Sequence, residues 1–301
     1  MNIAILGCGG VGGYYGSKLG YYFSDNPSCR VMFLARGKHL EKIRESGLTV
    51  RAPRKEFTVH PSFAGEACEG HFDLVLVAVK TYDIPAAIEQ IRKNVTALTI
   101  FIPLVNGIET YELLRAEFPG SRVFQGCCYL NAFVESPGII RFMGGFEQVQ
   151  IGYADEKILQ QTAEILSAAG LDVLSGKDIS DKIWEKFLFG SVFSAIGSLE
   201  NESFGEIAAR PERMRLARKM LEEAKAVAEA KGIQLRSAIT GDLLAKFLTF
   251  SGDARTSMQQ DFAKGKRTEL ETFVGYVIRE AKEFRIATPE YERIYELLKK
   301  R

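Results

Sequence analysis

The residues Gly7-Cys8-Gly9-Gly10-Val11-Gly12 fit G-x-G-x-x-G. An apolar run, Asn2–Leu6, precedes them, and helix-spaced Val11, Tyr14, Tyr15, Lys18 and Leu19 follow. In that strand–turn–helix setting the first glycine permits a tight turn, the second lets a pyrophosphate approach the backbone, and the third packs helix on sheet. The helix N-terminus then faces the phosphates. The pattern predicts dinucleotide binding, the plainer alternative being a glycine-rich structural turn. The residue after the second strand separates the two nicotinamide cofactors. An acid there would take the ribose hydroxyls of NAD, but the chain has Ala35-Arg36-Gly37-Lys38. A guanidinium can grip a 2′-phosphate bidentately, so Arg36 points to NADP (NADPH). A solvated arginine is the bland alternative.

Ligands in open α/β sheets bind beyond the carboxyl ends of strands. Val79-Lys80-Thr81 and Val105-Asn106-Gly107 put a cation and a carboxamide at two such ends, though either could simply cap the helix that follows. In the second half, Lys186, Gly190 and Ser194 fall at i, i+4 and i+8 on one helical stripe. Trp184, Leu188, Val192, Ala195 and Leu199 form another, expected in the core. A lone lysine on such a helix usually snorkels at the surface. The stretch Thr256-Ser257-Met258-Gln259-Gln260-Asp261, then Lys266-Arg267-Thr268-Glu269-Leu270, reads as a polar loop and a helix start, with Thr268 suited to an N-cap.

These groups need elements to hold them. Arg30–Ala35, Phe72–Val79 and Leu98–Pro103 read as further strands. Lys38–Ser46, Ile84–Asn94 and Glu109–Phe118 read as helices. The alternation predicts a parallel sheet wrapped by helices on both sides. Leu48–Val59 reads as a short extended excursion broken by Pro53. Val123–Tyr153 should extend the sheet at one edge, and a helix over Glu156–Ala169 and a strand at Leu171–Leu174 close the unit. Beyond Ser175 the pattern is helical. Met214, Ala217, Leu221, Ala224 and Ala228 make one stripe, stopped by Gly232. Leu270, Phe273, Val274, Val277, Ile278 and Ala281 make another. The fold class expected is α/β: a Rossmann-type dinucleotide-binding domain over 1–178 and an all-helical substrate and catalytic domain over 179–301, with a cleft between them.

Composition sets the outer bounds. A chain of 301 residues suggests about two domains, since single cores stop growing near ~250–300 residues. With 46% hydrophobic and 26% charged residues and a mean hydropathy of −0.04, it reads as an ordinary globular protein. Thirty-nine Lys and Arg against 38 Asp and Glu point to no nucleic-acid partner. No apolar run approaches the ~20 residues of a membrane span, and a cytoplasmic protein is expected. The five cysteines (Cys8, Cys29, Cys68, Cys127, Cys128) lack metal-ligand spacing, so buried thiols and no metal are expected.

GCGGVG, VAVKTYD, LVNGIET, IWEKF, TSMQQDFAKGKRTELE and the late IATP occur in an order and spacing that resemble the ketopantoate reductase (2-dehydropantoate 2-reductase) family along essentially the whole chain. The resemblance implies NADPH-dependent reduction of 2-dehydropantoate to (R)-pantoate, a step toward pantothenate and coenzyme A. It makes Lys186 the general acid that protonates the substrate carbonyl oxygen. Lys80, Asn106 and Ala132 are placed at the cofactor, with Asn106 also reaching the substrate. Ser257 is placed at the substrate and Glu269 at the cofactor–substrate junction. The family usually carries asparagines four and eight residues after the lysine; here those substrate positions are Gly190 and Ser194. Gly190 is expected to leave a side-chain-sized gap, Ser194 to keep one short donor and acceptor, and Asn201 is the first candidate to take over the missing role. Two other readings stay open: a reductase of another bulky 2-keto acid, and a non-catalytic NADP(H)-binding protein. A small 2-keto acid is the expected partner, and the sequence leaves a homodimer open.

Overall fold

The computed structural model describes residues 1–301 and divides into two compact units. The first comprises Met1–Val105 and Thr110–Ile179; the second comprises Asn106–Glu109 and Ser180–Arg301.

The first unit is built on six short parallel strands: β1 (Asn2–Leu6), β2 (Arg30–Leu34), β5 (Phe63–Gly65), β6 (Leu74–Val77), β7 (Ile100–Pro103) and β8 (Arg122–Val123). Their order is β5-β2-β1-β6-β7-β8. Winding runs outward both ways from β1, the doubly wound Rossmann order, whose switch point lies between β1 and β6. Alternation along each strand divides the core in two. Ala4, Leu6, Met32, Leu34, Val75, Val77 and Phe101 face helices α3 (Ile84–Ile91) and α4 (Glu109–Glu117). Ile3, Ile5, Val31, Phe33, Leu74, Leu76 and Ile102 face the opposite way, toward α1 (Gly10–Tyr22) and its surroundings.

That second face departs from expectation. Val123 lies in the two-residue edge strand β8, but residues 125–153 do not extend the parallel sheet. They form two long strands, β9 (Gln125–Ser136) and β10 (Ile139–Gly152), paired antiparallel in a separate sheet. On its other side β10 takes β3 (Leu48–Ala52) and β11 (Asp172–Gly176) in parallel, and β4 (Lys55–Val59) pairs β3. The polar excursion is thus a hairpin with Pro53 in its turn. Strands of 12 and 14 residues have little to pair with beside parallel strands of four or five. Joined by a tight turn at Gly138, they pair with each other instead. Ile140, Phe142, Val149 and Ile151 of β10 then share one core with α1 and with α5 (Glu156–Ala168). The face is therefore closed by a helix and a sheet, not by helices alone.

The second unit is helical: α6 (Ser180–Glu200), α7 (Phe204–Ala208), α8 (Pro211–Ala230), α9 (Ile239–Phe247), α10 (Ser257–Ala263), α11 (Tyr276–Glu283) and α12 (Pro289–Leu298). Gly232 ends α8 with φ +82: its N–H bonds Glu229 O and that of Ile233 bonds Ala228 O, a Schellman stop. The stripe from Leu270 to Ala281 is buried, but it begins with a wide π turn over Glu271–Gly275 that runs into α11. Such turns often occur at functional sites.

Candidate active site

In the first unit the site is made of backbone. Gly7 takes φ +94, a region that side chains with a Cβ rarely enter. Its N–H donates to Leu34 O at 3.0 Å, tying the turn to β2. A Cβ on Gly12 would overlap the Gly7 carbonyl, and one on Gly10 would overlap the Ala132 carbonyl of β9. Gly9 differs: nothing lies within 4 Å of where its Cβ would be. Close packing at Gly7, Gly10 and Gly12 thus leaves open space at Gly9, the head of α1. That helix has no side-chain cap and no acid in its first turn, so its leading N–H groups and positive dipole end meet that space. A dinucleotide pyrophosphate asks for this arrangement, and the residues present fit it. Cys8 and Val11 supply backbone here, and burial pushes the Cys8 thiol up, which keeps it un-ionised.

Arg36 stands just before α2 (Gly37–Ser46) with extended backbone and a side chain that is 72% exposed. Its Nη2 donates to Asp83 Oδ2 at 2.7 Å, which occupies one of the fork's five donors. Lys80, half-buried, leads the short 3₁₀ turn Thr81–Asp83 that presents this aspartate. One residue that sequence reasoning missed is His39. It links the Cys8 carbonyl to the Gly138 N–H, and no spacing rule marks it.

In the second unit the site is made of side chains. Lys186, in the second turn of α6, donates from Nζ to Asn106 Oδ1 at 3.3 Å. Asn106 Nδ2 donates to Glu269 Oε2 at 3.4 Å. The carboxamide turns its oxygen to the cation and its nitrogen to the anion, so it fits between them only one way round. Glu269 is 2% exposed and its carbonyl accepts the Phe273 N–H, which places it at the head of the π turn.

Other expected residues fall differently. Ser257 is the exposed first residue of α10, capped by the Thr256 hydroxyl, which accepts the Gln259 N–H at 3.3 Å. The space at Gly190 is tight: a Cβ there would meet the Phe273 ring at 3.2 Å, and the ring would have to give by a few tenths of an ångström. A residue of the π turn thus borders the position where a side chain would stand. Ser194 is buried at 3% exposure. Asn201 has its side-chain oxygen engaged within the helical unit, where it accepts from Gln259 Nε2 at 3.1 Å and from Arg255. With φ +58 it forms the corner after α6. All five cysteines are free and buried, and no cluster of three or more His, Cys, Asp or Glu could hold a metal ion. No helix is long and apolar enough to cross a membrane.

Residues 3–156 match the family model described as ketopantoate reductase PanE/ApbA, and residues 178–301 match its C-terminal model. The chain belongs to the ketopantoate reductase family. It is 29% identical to a 2-dehydropantoate 2-reductase of Mesorhizobium japonicum, over 92% of this chain and 90% of that one. Among solved structures it resembles a 2-dehydropantoate 2-reductase from Porphyromonas gingivalis, with 30% identity, 99% coverage of both chains and a TM-score of 0.85. It shares the fold of a D-mandelate dehydrogenase solved with NADH and anilino(oxo)acetate, at 22% identity and a TM-score of 0.89, covering 100% of this chain and 98% of that one. Ketopantoate reductases are oxidoreductases, and the Rossmann-type and helical units here are those of the family.

Proposed function

We propose that this protein reduces a 2-keto acid with NADPH, and that the acid is 2-dehydropantoate, converted to (R)-pantoate on the route to pantothenate. The observation that carries the reading is the run of contacts Lys186–Asn106–Glu269. An ammonium held by a carboxamide, itself steadied by a buried carboxylate, is a proton donor with a fixed direction. When bound, the nicotinamide supplies the hydride that adds to the keto carbon. Lys186 gives its proton to the carbonyl oxygen, so no free alkoxide builds up, and the neutral amine regains a proton from water. Asn106 orients the keto acid, and Ser257 hydrogen-bonds one of its oxygens. The glycine turn and the head of α1 hold the pyrophosphate. Lys80, Ala132 and Glu269 border the cofactor, and Arg36 takes the 2′-phosphate.

A second substrate, another bulky 2-keto acid, is favoured by one observation: the Phe273 ring beside Gly190 replaces polar groups with an apolar surface. A D-mandelate dehydrogenase of this fold, solved with an aromatic keto-acid analogue, agrees with that choice. Both are tested by following NADPH oxidation with 2-dehydropantoate, phenylglyoxylate and branched 2-keto acids. Turnover of 2-dehydropantoate with the highest kcat/KM supports the first reading, and preference for an aromatic or branched acid supports the second. Tight NADPH binding with no turnover of any keto acid would overturn both and leave a nucleotide-binding protein.

A further inference from the structure

The glycine turn accounts for where a phosphate would sit but not for what holds its peptide planes in place. Cys8 and Gly9 precede α1, so no helical hydrogen bond fixes the Cys8 carbonyl. His39, in the first turn of α2, accepts the Gly138 N–H on Nδ1 at 3.0 Å and reaches the Cys8 carbonyl with Nε2 at 2.9 Å. The first bond settles the tautomer: with Nδ1 accepting, the neutral ring carries its proton on Nε2 and donates it to Cys8 O. Burial lowers the imidazole pKa, which favours this neutral form.

Three further contacts show that the His39 bond belongs to a larger brace. Gly10 lies so close to Ala132 that no Cβ would fit, and a Cβ on Gly13 would meet the Ile140 side chain at 2.8 Å. Gly138 in turn accepts the Thr49 N–H at 2.9 Å through its carbonyl. The β9–β10 hairpin therefore grips the head of α1 at Gly10 and Gly13, and through His39 it also grips the turn before the helix.

We infer that His39 is a positioning residue of the dinucleotide site, orienting the Cys8–Gly9 peptide so that its N–H serves the cofactor phosphates. Across a planar trans peptide, carbonyl and N–H point in opposite directions. A carbonyl held toward His39 aims the Gly9 N–H away from it, out of the packed side of the turn. Without the imidazole the peptide is free to rotate, and binding must then order it. This inference rests on the dinucleotide reading of the glycine turn.

The test uses fluorescence titration of NADPH with the wild type and with His39→Ala, His39→Asn and His39→Gln. Asparagine can replace the Nδ1 acceptor but is too short to reach Cys8; glutamine can reach Cys8. The Ala and Asn variants should weaken NADPH roughly tenfold, the worth of one ordered hydrogen bond, and Gln should recover most of the loss. The change should appear in Kd and in KM for cofactor, not in kcat at saturation. Nitrogen chemical shifts of His39 should report the Nε2–H tautomer. Equal NADPH affinity in all four proteins, or losses that follow Tm across the three variants without rescue by Gln, would overturn the inference. A wild type that binds neither NADPH nor NADH would instead remove the dinucleotide reading, and the inference with it.

Discussion

The two units prepare for chemistry in opposite ways. The first works with backbone: four glycines within six residues, a helix start, and a carbonyl held by His39. At the turn itself side chains matter mainly by their absence, with Arg36 and His39 standing beside it as exceptions. The second works with side chains drawn from three distant places, Asn106 lying 80 positions from Lys186 and 163 from Glu269. A backbone site tolerates changes of side chain wherever no Cβ intrudes, and it fails by steric clash. A side-chain site tolerates small shifts of backbone, and it fails when one group is removed. Damage to the first should appear in cofactor affinity, and damage to the second in turnover.

The sharpest way to break that contrast is Lys186→Ala. Loss of a general acid should lower kcat by roughly 10²–10⁴, with NADPH affinity nearly intact. Stopped-flow reduction and a separate NADPH titration measure the two. Turnover within a few-fold of wild type would show that another group supplies the proton.

Arg36→Ala should do the reverse. It removes a charge-assisted contact worth about 1.5–3 kcal/mol and leaves the Asp83 carboxylate, now unpaired, facing the same phosphate. NADPH should weaken by that amount while NADH changes little, as calorimetry with both cofactors can show. Asp83→Asn should tighten NADPH slightly, since it frees a donor and removes a repulsion. Equal losses for the two cofactors in the Arg36 variant would end the NADP assignment.

How legible each unit was follows from the same contrast. G-x-G-x-x-G is a local statement about Cβ atoms, and it can be read from six residues because its partners lie on adjoining elements. The apolar runs of β1, β2, β6 and β7 were equally plain, being buried on both faces. The second sheet was not. Nothing within residues 48–59 or 123–153 says that β3 will lie beside β10 in parallel, 90 positions away. In the helical unit, Lys186 alone looks like a surface lysine, and only the family resemblance gave it a role before the fold showed Asn106 beside it. Phe273 was read correctly as buried, but its ring's place beside Gly190 is a contact between segments more than 80 positions apart, which no periodicity records.

Gly190→Asn tests that last point. Sequence comparison alone expects an added carboxamide to improve turnover of a polar keto acid. The structure predicts the opposite, because the new side chain meets the Phe273 ring. Overpacking of this kind costs about 1–3 kcal/mol, so Tm should fall and kcat/KM for 2-dehydropantoate should not rise. Adding Phe273→Leu should relieve part of the clash and recover stability relative to the single variant. A stable Gly190→Asn protein with faster turnover would show that the ring moves aside freely, and that the room expected from the sequence is there after all.

The smallest expected effect returns to the first unit and concerns pH. Burial holds the His39 pKa below the ordinary imidazole value. Between that lowered value and about 6.5 the unfolded chain binds a proton that the native protein does not. Stability must therefore fall as pH drops through this window and level off once the native imidazole is also protonated. Glu223 tilts the curve the other way, because burial raises its pKa despite the two backbone N–H groups it accepts, and the native state then holds its proton more tightly. The His39 contribution is isolated by subtraction. His39→Gln cannot titrate, so the difference between its denaturation free energy and that of wild type should slope through the imidazole range and be flat above it. A difference that stays flat across the whole range would mean that the imidazole protonates as readily in the fold as in water. The bond from Gly138 would then not be holding Nδ1 as an acceptor.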